Sequence, residues 1–205
     1  MFRFVFMLNM LFVSLFSSAE SFRMSPEDIN QPINLLPKVY FLDDNGVGYS
    51  FEQVQQKETI AKFSPIHSRE VFTVDRPPHN YWLRWSVVLD AEQALSMQMY
   101  INDMSVGLLK LYQRSGQLPL IQQKTGSSLA GIERTSIIDN YNFPILLYPG
   151  LNEFWLNVED DEALDFSMEL YSNIALVRHN RFKAFATGMI LFSAVFFIGF
   201  ALSLF

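Results

Sequence analysis

The chain has no cysteine, which excludes a disulfide framework, thiolate metal sites and a cysteine nucleophile. Charge is sparse: 18% of residues are Asp, Glu, Lys or Arg, and 21 acids outnumber 15 Lys and Arg for a formal net charge of −6. No run of basic residues occurs, so the clustered cations that displace counterions from nucleic acid are missing, and nucleic acid is not an expected partner. Neither a G-x-G-x-x-G nor a Walker-type loop is present to cradle a phosphate. His67, His79 and His179 stand far apart, without the i,i+4 or H-x-H spacing of a zinc site. Gly126-Ser127-Ser128-Leu129-Ala130 departs from the G-x-S-x-G nucleophile elbow at its last position and reads as a loop. Asp43-Asp44-Asn45-Gly46 opens like a calcium loop but puts Val47 at position five, and so reads as a hairpin turn. Glu159-Asp160-Asp161-Glu162 with Asp165 reads as a solvated acidic loop, with calcium ligation as the lesser alternative. A cell-envelope glycosidase would need a carboxylate pair, and no pair stands out. The expectation is a chain with no catalytic residues, no cofactor and no metal.

What the chain does have is apolar sequence at both ends. Arg3 precedes an apolar run over 4–16 broken only by Asn9 and Ser14, and Ser17-Ser18-Ala19 follows. Positive residue, apolar stretch and small residues in that order make a secretory signal peptide over 1–19. Residues 184–205 carry no charge, and roughly 22 residues at 1.5 Å each cross a ~30 Å hydrocarbon core, so a C-terminal transmembrane helix is expected there. Arg178, Arg181 and Lys183 sit in a short juncture, 178–183. Export places these cations outside, against the positive-inside rule. The chain stops within the span, an ending expected of the first helix of a larger assembly.

Between the ends, apolar residues alternate with polar ones at period two, the signature of half-buried strands. Tyr81, Leu83, Trp85, Val87 and Leu89 form an unbroken apolar face, with Trp82, Arg84, Ser86 and Val88 opposite. Met97, Met99 and Ile101 repeat the pattern, as do Phe154, Leu156 and Val158, and Phe166, Met168 and Leu170. Further strands are expected over 39–42, 106–112 and 144–147. Asp44-Asn45-Gly46, Pro77-Pro78, Ser115-Gly116 and Pro149-Gly150 supply the turns. Ser50 with Gln53 forms a capping-box pair, placing a helical turn over 50–57. The fold class is mainly β: an antiparallel, jelly-roll-like β-sandwich over 37–177, behind an irregular leader over 20–36.

Trp82 and Arg84 lie side by side on the face opposite the apolar one, and Trp155 likewise alternates away from its strand's apolar side. An indole stacks on sugar C–H faces, and a guanidinium forks onto oxygen acceptors. These residues form a candidate platform for a carbohydrate or small polar ligand, unless a loop or the leader covers that face. The rival expectation is an envelope protein whose sandwich docks a protein partner through exposed Tyr100, Trp155 and Tyr171.

The order of motifs resembles a known family. It runs from Val39-Tyr40-Phe41-Leu42-Asp43 and the helical turn to Tyr81-Trp82-Leu83-Arg84, then Leu111-Tyr112 and a loop with Gly126 and Arg134. Phe143-Pro144, Pro149-Gly150-Leu151-Asn152 and Trp155-Leu156-Asn157-Val158 precede the membrane helix. This is similar to the type 2 periplasmic sensor domain of bacterial seven-transmembrane receptors with diverse intracellular signalling modules (7TMR-DISM), over roughly residues 35–205. The resemblance implies a jelly-roll sandwich similar to carbohydrate-binding modules, outside the inner membrane of a Gram-negative bacterium. It implies ligand binding at Trp82, Arg84, Arg134 and Trp155. It also implies that signalling needs a cytoplasmic output from the missing receptor half or a separate protein.

Overall fold

The computed structural model describes residues 21–67, 71–74, 79–102, 106–130, 141–161 and 164–203. The expected signal peptide, the Pro77-Pro78 turn, Glu162 and Arg134 lie outside the described residues. The chain opens with β1 (Phe22–Met24), β2 (Ile33–Asn34) and β3 (Tyr40–Asp43), then two short helices, α1 (Phe51–Val54) and α2 (Lys57–Ile60). β4 (Ser64–Pro65), β5 (Phe72–Val74), β6 (His79–Leu89), β7 (Leu95–Ile101), β8 (Leu108–Ser115) and β9 (Ile121–Thr125) follow. β10 (Tyr141–Leu147), β11 (Gly150–Asp160), β12 (Leu164–Phe166) and β13 (Met168–Ser172) complete the strands, and α3 (Asn173–Ser203) ends the fold.

Among the described residues the strands form a seven-stranded sheet, β4-β3-β6-β11-β8-β9 with β1 also on β6, and a four-stranded sheet, β10-β7-β13-β2. Among the described residues, only β1 pairs in parallel. The two sheets enclose the core that the period-two pattern marks. Tyr81, Leu83 and Trp85 of β6 and Phe154, Leu156 and Val158 of β11 face Met97, Met99 and Ile101 of β7 and Phe143 and Ile145 of β10, all buried. Trp85 stacks on its cross-strand partner Phe154, with centroids 5.2 Å apart and planes at 9°. The result is a mainly antiparallel β-sandwich followed by one apolar helix.

Three local expectations change. The irregular leader is part of the sandwich: β1 pairs with β6, β2 pairs with β13, and Met24, Leu35 and Leu36 are buried in the main core. The strand expected over 165–170 is two, because β12 pairs with β5 whereas β13 pairs with β7. The break falls at Ser167, whose carbonyl accepts the Asn102 amide at 3.2 Å. The juncture over 178–183 is not a separate linker. α3 starts at Asn173, directly after β13, and the Ser172 hydroxyl accepts the Ala175 amide at 3.1 Å as its N-cap.

Candidate functional site

The outer face of the seven-stranded sheet is ordered by register. In one row Trp82 of β6 lies opposite Asn157 of β11, which lies opposite Lys110 of β8. In the next, Arg84, Trp155, Tyr112 and Gln122 follow one another across β6, β11, β8 and β9. Glu153 and Arg114 form the row beyond. Alternation puts all these side chains opposite the main core.

That face is covered. The chain from Tyr49 to Phe63, which carries α1 and α2, folds over it and builds a second core from Leu42, Val54, Trp82 and Trp155. Trp82 is 2% exposed and Trp155 is 0% exposed, so neither indole is an open stacking platform. The cover holds because Ser50 and Gln53 form the expected capping box: the Gln53 amide donates to Ser50 Oγ at 3.4 Å, and the Ser50 amide donates to Gln53 Oε1 at 2.8 Å. Phe51 then stacks flat on Tyr112, 4.2 Å away at 6°, and meets Trp155 edge-on at 5.5 Å. The turn before it is anchored by buried Asp44, whose carboxylate accepts the Gly48 amide at 2.8 Å, the Tyr49 amide at 3.1 Å and Asn80 Nδ2 at 2.8 Å.

Arg84 does not offer its guanidinium outward. It lies 5.8 Å over the Trp155 ring and meets Glu153 Oε1 at 3.5 Å. Arg114 sits closer over the same ring, at 5.0 Å, and donates to Glu153 Oε2 at 2.7 Å and to Gln55 Oε1 at 2.9 Å. Two arginines sharing one carboxylate roof the indole. Glu153 offsets one of the two positive charges, and the bond from Arg114 to Gln55 fixes α1 to the sheet.

What remains open is a cleft of about 440 Å³ beside Trp82. Trp82 and Tyr112 contribute its aromatic surface; Asn80, Asn157, Lys110, Glu159 and Gln122 contribute polar groups. Asn157 Nδ2 donates to Asn80 Oδ1 and, at 3.2 Å, to the Tyr81 carbonyl. Lys110 Nζ meets Glu159 Oε1 at 2.5 Å. Trp82 Nε1 is buried without a hydrogen-bond acceptor among the described residues. Burial, reinforced by the charges of Glu52 and Glu159, raises the Tyr112 hydroxyl above the usual phenol value, so it is a neutral donor at physiological pH. Glu52 on the rim is held below the usual carboxylate range by a backbone hydrogen bond and by the Ser50 hydroxyl.

Of the expected site residues, Trp82, Arg84 and Trp155 thus come together, but only Trp82 lines the cleft. Tyr112, Asn80, Asn157 and Lys110 escaped notice, although each sits in the same outward phase of its strand as the tryptophans and Arg84. Tyr100, Trp155 and Tyr171 are all buried, so they are not surface anchors for a protein partner. The elbow-like Ser128 donates its hydroxyl to the Gly107 carbonyl at 2.6 Å, which accounts for it structurally.

An antiparallel sandwich running without a linker into a helix long and apolar enough to cross a membrane, Asn173–Ile198, defines a β domain carried on a membrane anchor. The chain belongs to the 7TMR-DISM extracellular 2 family, whose model matches residues 36–172, in agreement with the motif order. It is therefore a membrane-anchored protein with an extracellular domain. No curated protein matches the chain. Among solved structures, it is similar to TmCBM61 in complex with β-1,4-galactotriose, at 13% identity over 69% of this chain and 85% of that one, with a TM-score of 0.35. It is also similar to a Bacillus thuringiensis Cry1Da tryptic core variant, at 12% identity over 74% of this chain and 24% of that one, with a TM-score of 0.32.

Proposed function

We propose that the chain is the non-enzymatic input domain of a bacterial signalling receptor, held in the inner membrane by α3 with its sandwich in the periplasm. Its cleft beside Trp82 takes a carbohydrate or another small, polar, uncharged ligand. The observation that carries this reading is the grouping of Trp82 and Tyr112 with the carboxamides of Asn80, Asn157 and Gln122 around one cleft. An aromatic wall takes the C–H face of such a ligand, and the carboxamides and the phenol take its oxygens. Hydroxyl groups both donate and accept, as the carboxamides do; Lys110 is already paired with Glu159, and the Glu52 carboxylate on the rim disfavours an anion.

Thermal unfolding of the full chain in detergent, with a panel of neutral mono- and oligosaccharides, tests the proposal. At least one saccharide is expected to raise the transition, because a ligand that binds only the folded state stabilises it. Gln122→Ala and Tyr112→Ala are expected to reduce that rise; the former lies on an exposed strand and leaves the fold intact. A panel without any shift, or shifts unchanged in both variants, would refute the assignment.

A further inference from the structure

A second cleft, about 490 Å³ in volume, lies where the sandwich meets α3. β13 runs from Met168, opposite Ile101, to Ser172, opposite Met97, and α3 turns back over the outer face of this sheet. Its first turns bury Ala175 against Tyr100 and Tyr171. One turn on, His179 meets both tyrosine rings edge-on, at 6.0 and 5.3 Å. Lys183 then comes level with Asn102 and Ser167 at the strand ends, and beyond them α3 leaves the sandwich.

The helical side of the cleft is a single face, since residues three and four apart are neighbours: His179, Phe182, Lys183, Ala186, Thr187 and Ile190. Its character changes along the axis. His179 and Lys183 are polar, whereas Phe182 and Ile190 are apolar and strongly exposed, at 73% and 69%. Ala186 leaves a shallow notch between those two, and Lys183 is the last charge before the uncharged stretch over 184–205. The opposing wall presents the Glu169 carboxylate, which accepts the Tyr171 hydroxyl at 2.5 Å and has lone pairs left for a second donor.

We propose that this cleft is a binding site for a phospholipid whose headgroup carries both a phosphate and a primary ammonium. Lys183 faces the phosphate, Glu169 accepts from the ammonium, and an acyl chain runs down the Ala186 notch beside Phe182 and Ile190. A cation and a carboxylate on facing walls match a zwitterion rather than a plain anion. Apolar exposure continuous with the polar walls matches a molecule with a tail rather than a free headgroup. A trimethylated ammonium has no N–H to give Glu169, so a choline headgroup is the weaker ligand. The inference is independent of the Trp82 cleft but rests on α3 crossing the bilayer; protein that failed to enter lipid discs would refute that premise separately.

The full chain is reconstituted in nanodiscs holding equal parts of phosphatidylethanolamine, phosphatidylcholine and phosphatidylglycerol, then released for native mass spectrometry of retained lipid. Phosphatidylethanolamine is expected to exceed each competitor about tenfold, on the order of one charge-assisted hydrogen bond. Glu169→Gln is expected to erase that preference. Ala186→Leu, which fills the notch from a half-buried position on α3, is expected to lower retention of all three lipids without lowering the melting temperature of the sandwich. Equal retention of phosphatidylglycerol and phosphatidylethanolamine would reduce the site to attraction by Lys183 and overturn the proposal. So would a preference that survives both variants, or displacement of the lipid by an equal concentration of soluble phosphoethanolamine.

Discussion

Buried polar atoms separate positions that hold the sandwich together from positions that leave a site open. Asn152 is fully buried and fully occupied: Nδ2 donates to the carbonyls of Tyr148 at 2.8 Å and Gly150 at 3.0 Å, while Oδ1 accepts from Ser115 Oγ at 2.7 Å and the Tyr148 amide at 2.9 Å. It closes the turn between β10 and β11 and needs no ligand. Trp82 is the converse, a buried donor with no acceptor among the described residues, in a side chain that borders an open cleft. Tyr171 is a third kind, a buried phenol whose pKa is pushed up by desolvation first, then by its hydrogen bond to Glu169 and that residue's charge. The folded state therefore prefers the protonated phenol more than the unfolded chain does. This stabilisation is complete below the ordinary phenol value of about 10 and drains away as pH rises past it. Melting of the chain in detergent from neutral to strongly alkaline pH is expected to show a falling transition temperature, with a shallower fall in Tyr171→Phe. Identical slopes in the two proteins would contradict this, although buried Tyr81, also raised mainly by desolvation, leaves the variant some dependence.

Among the elements, residues 126–130 after β9 show how loop backbone is fixed without a regular ladder. Gly126 has φ +147°, and a Cβ there would lie 2.2 Å from the Gly107 carbonyl oxygen and 2.8 Å from the Leu108 Cα. Both are backbone atoms, so neither can swing aside. The close approach lets Ser127 and Ser128 donate their amides to the carbonyls of Val106 and Gly107, at 2.9 and 3.0 Å. Gly46, at φ +77°, has nothing within 4 Å of its would-be Cβ. Gly46→Ala is thus expected to cost only the left-handed backbone penalty, about 1–2 kcal/mol. Gly126→Ala adds a backbone clash and is expected to cost roughly 3 kcal/mol or more. Urea unfolding of the two variants side by side distinguishes them; equal losses would mean that the loop relaxes away from β8.

At the scale of the whole molecule, the direct passage from β13 into α3 matters most. Ser172 both ends the last strand and caps the helix, and Tyr100, Tyr171 and His179 clasp the first turns. Displacements of the sandwich therefore reach the membrane helix without slack. A ligand biases such a unit only as far as it binds one arrangement more tightly than another. A flexible Gly/Ser segment inserted between Ser172 and Asn173 is expected to leave the melting of the sandwich nearly unchanged. Hydrogen exchange in detergent should nonetheless show loss of protection over residues 173–183, since a helix end without tertiary packing frays. Retained protection would mean that the aromatic clasp holds the helix even without covalent continuity.

Local signals in the amino-acid sequence were sufficient for the faces of β6, β7 and β11, the capping box at Ser50, the apolar helix and the order of motifs that marks the family. Each is set within a few residues by side-chain alternation, a reciprocal side-chain-to-backbone pair or an unbroken apolar run. Period two says which side chains leave the main core, but not what lies over them. Alternation therefore leaves the face of Trp82 and Trp155 either open or covered, and it is Phe51 of α1 that covers it. The register that brings Asn157 and Lys110 beside Trp82, the Glu153 clamp on two arginines, and the docking of α3 on Tyr100 and Tyr171 join residues dozens of positions apart. Those contacts are decided by strand pairing and packing, which only the tertiary structure supplies.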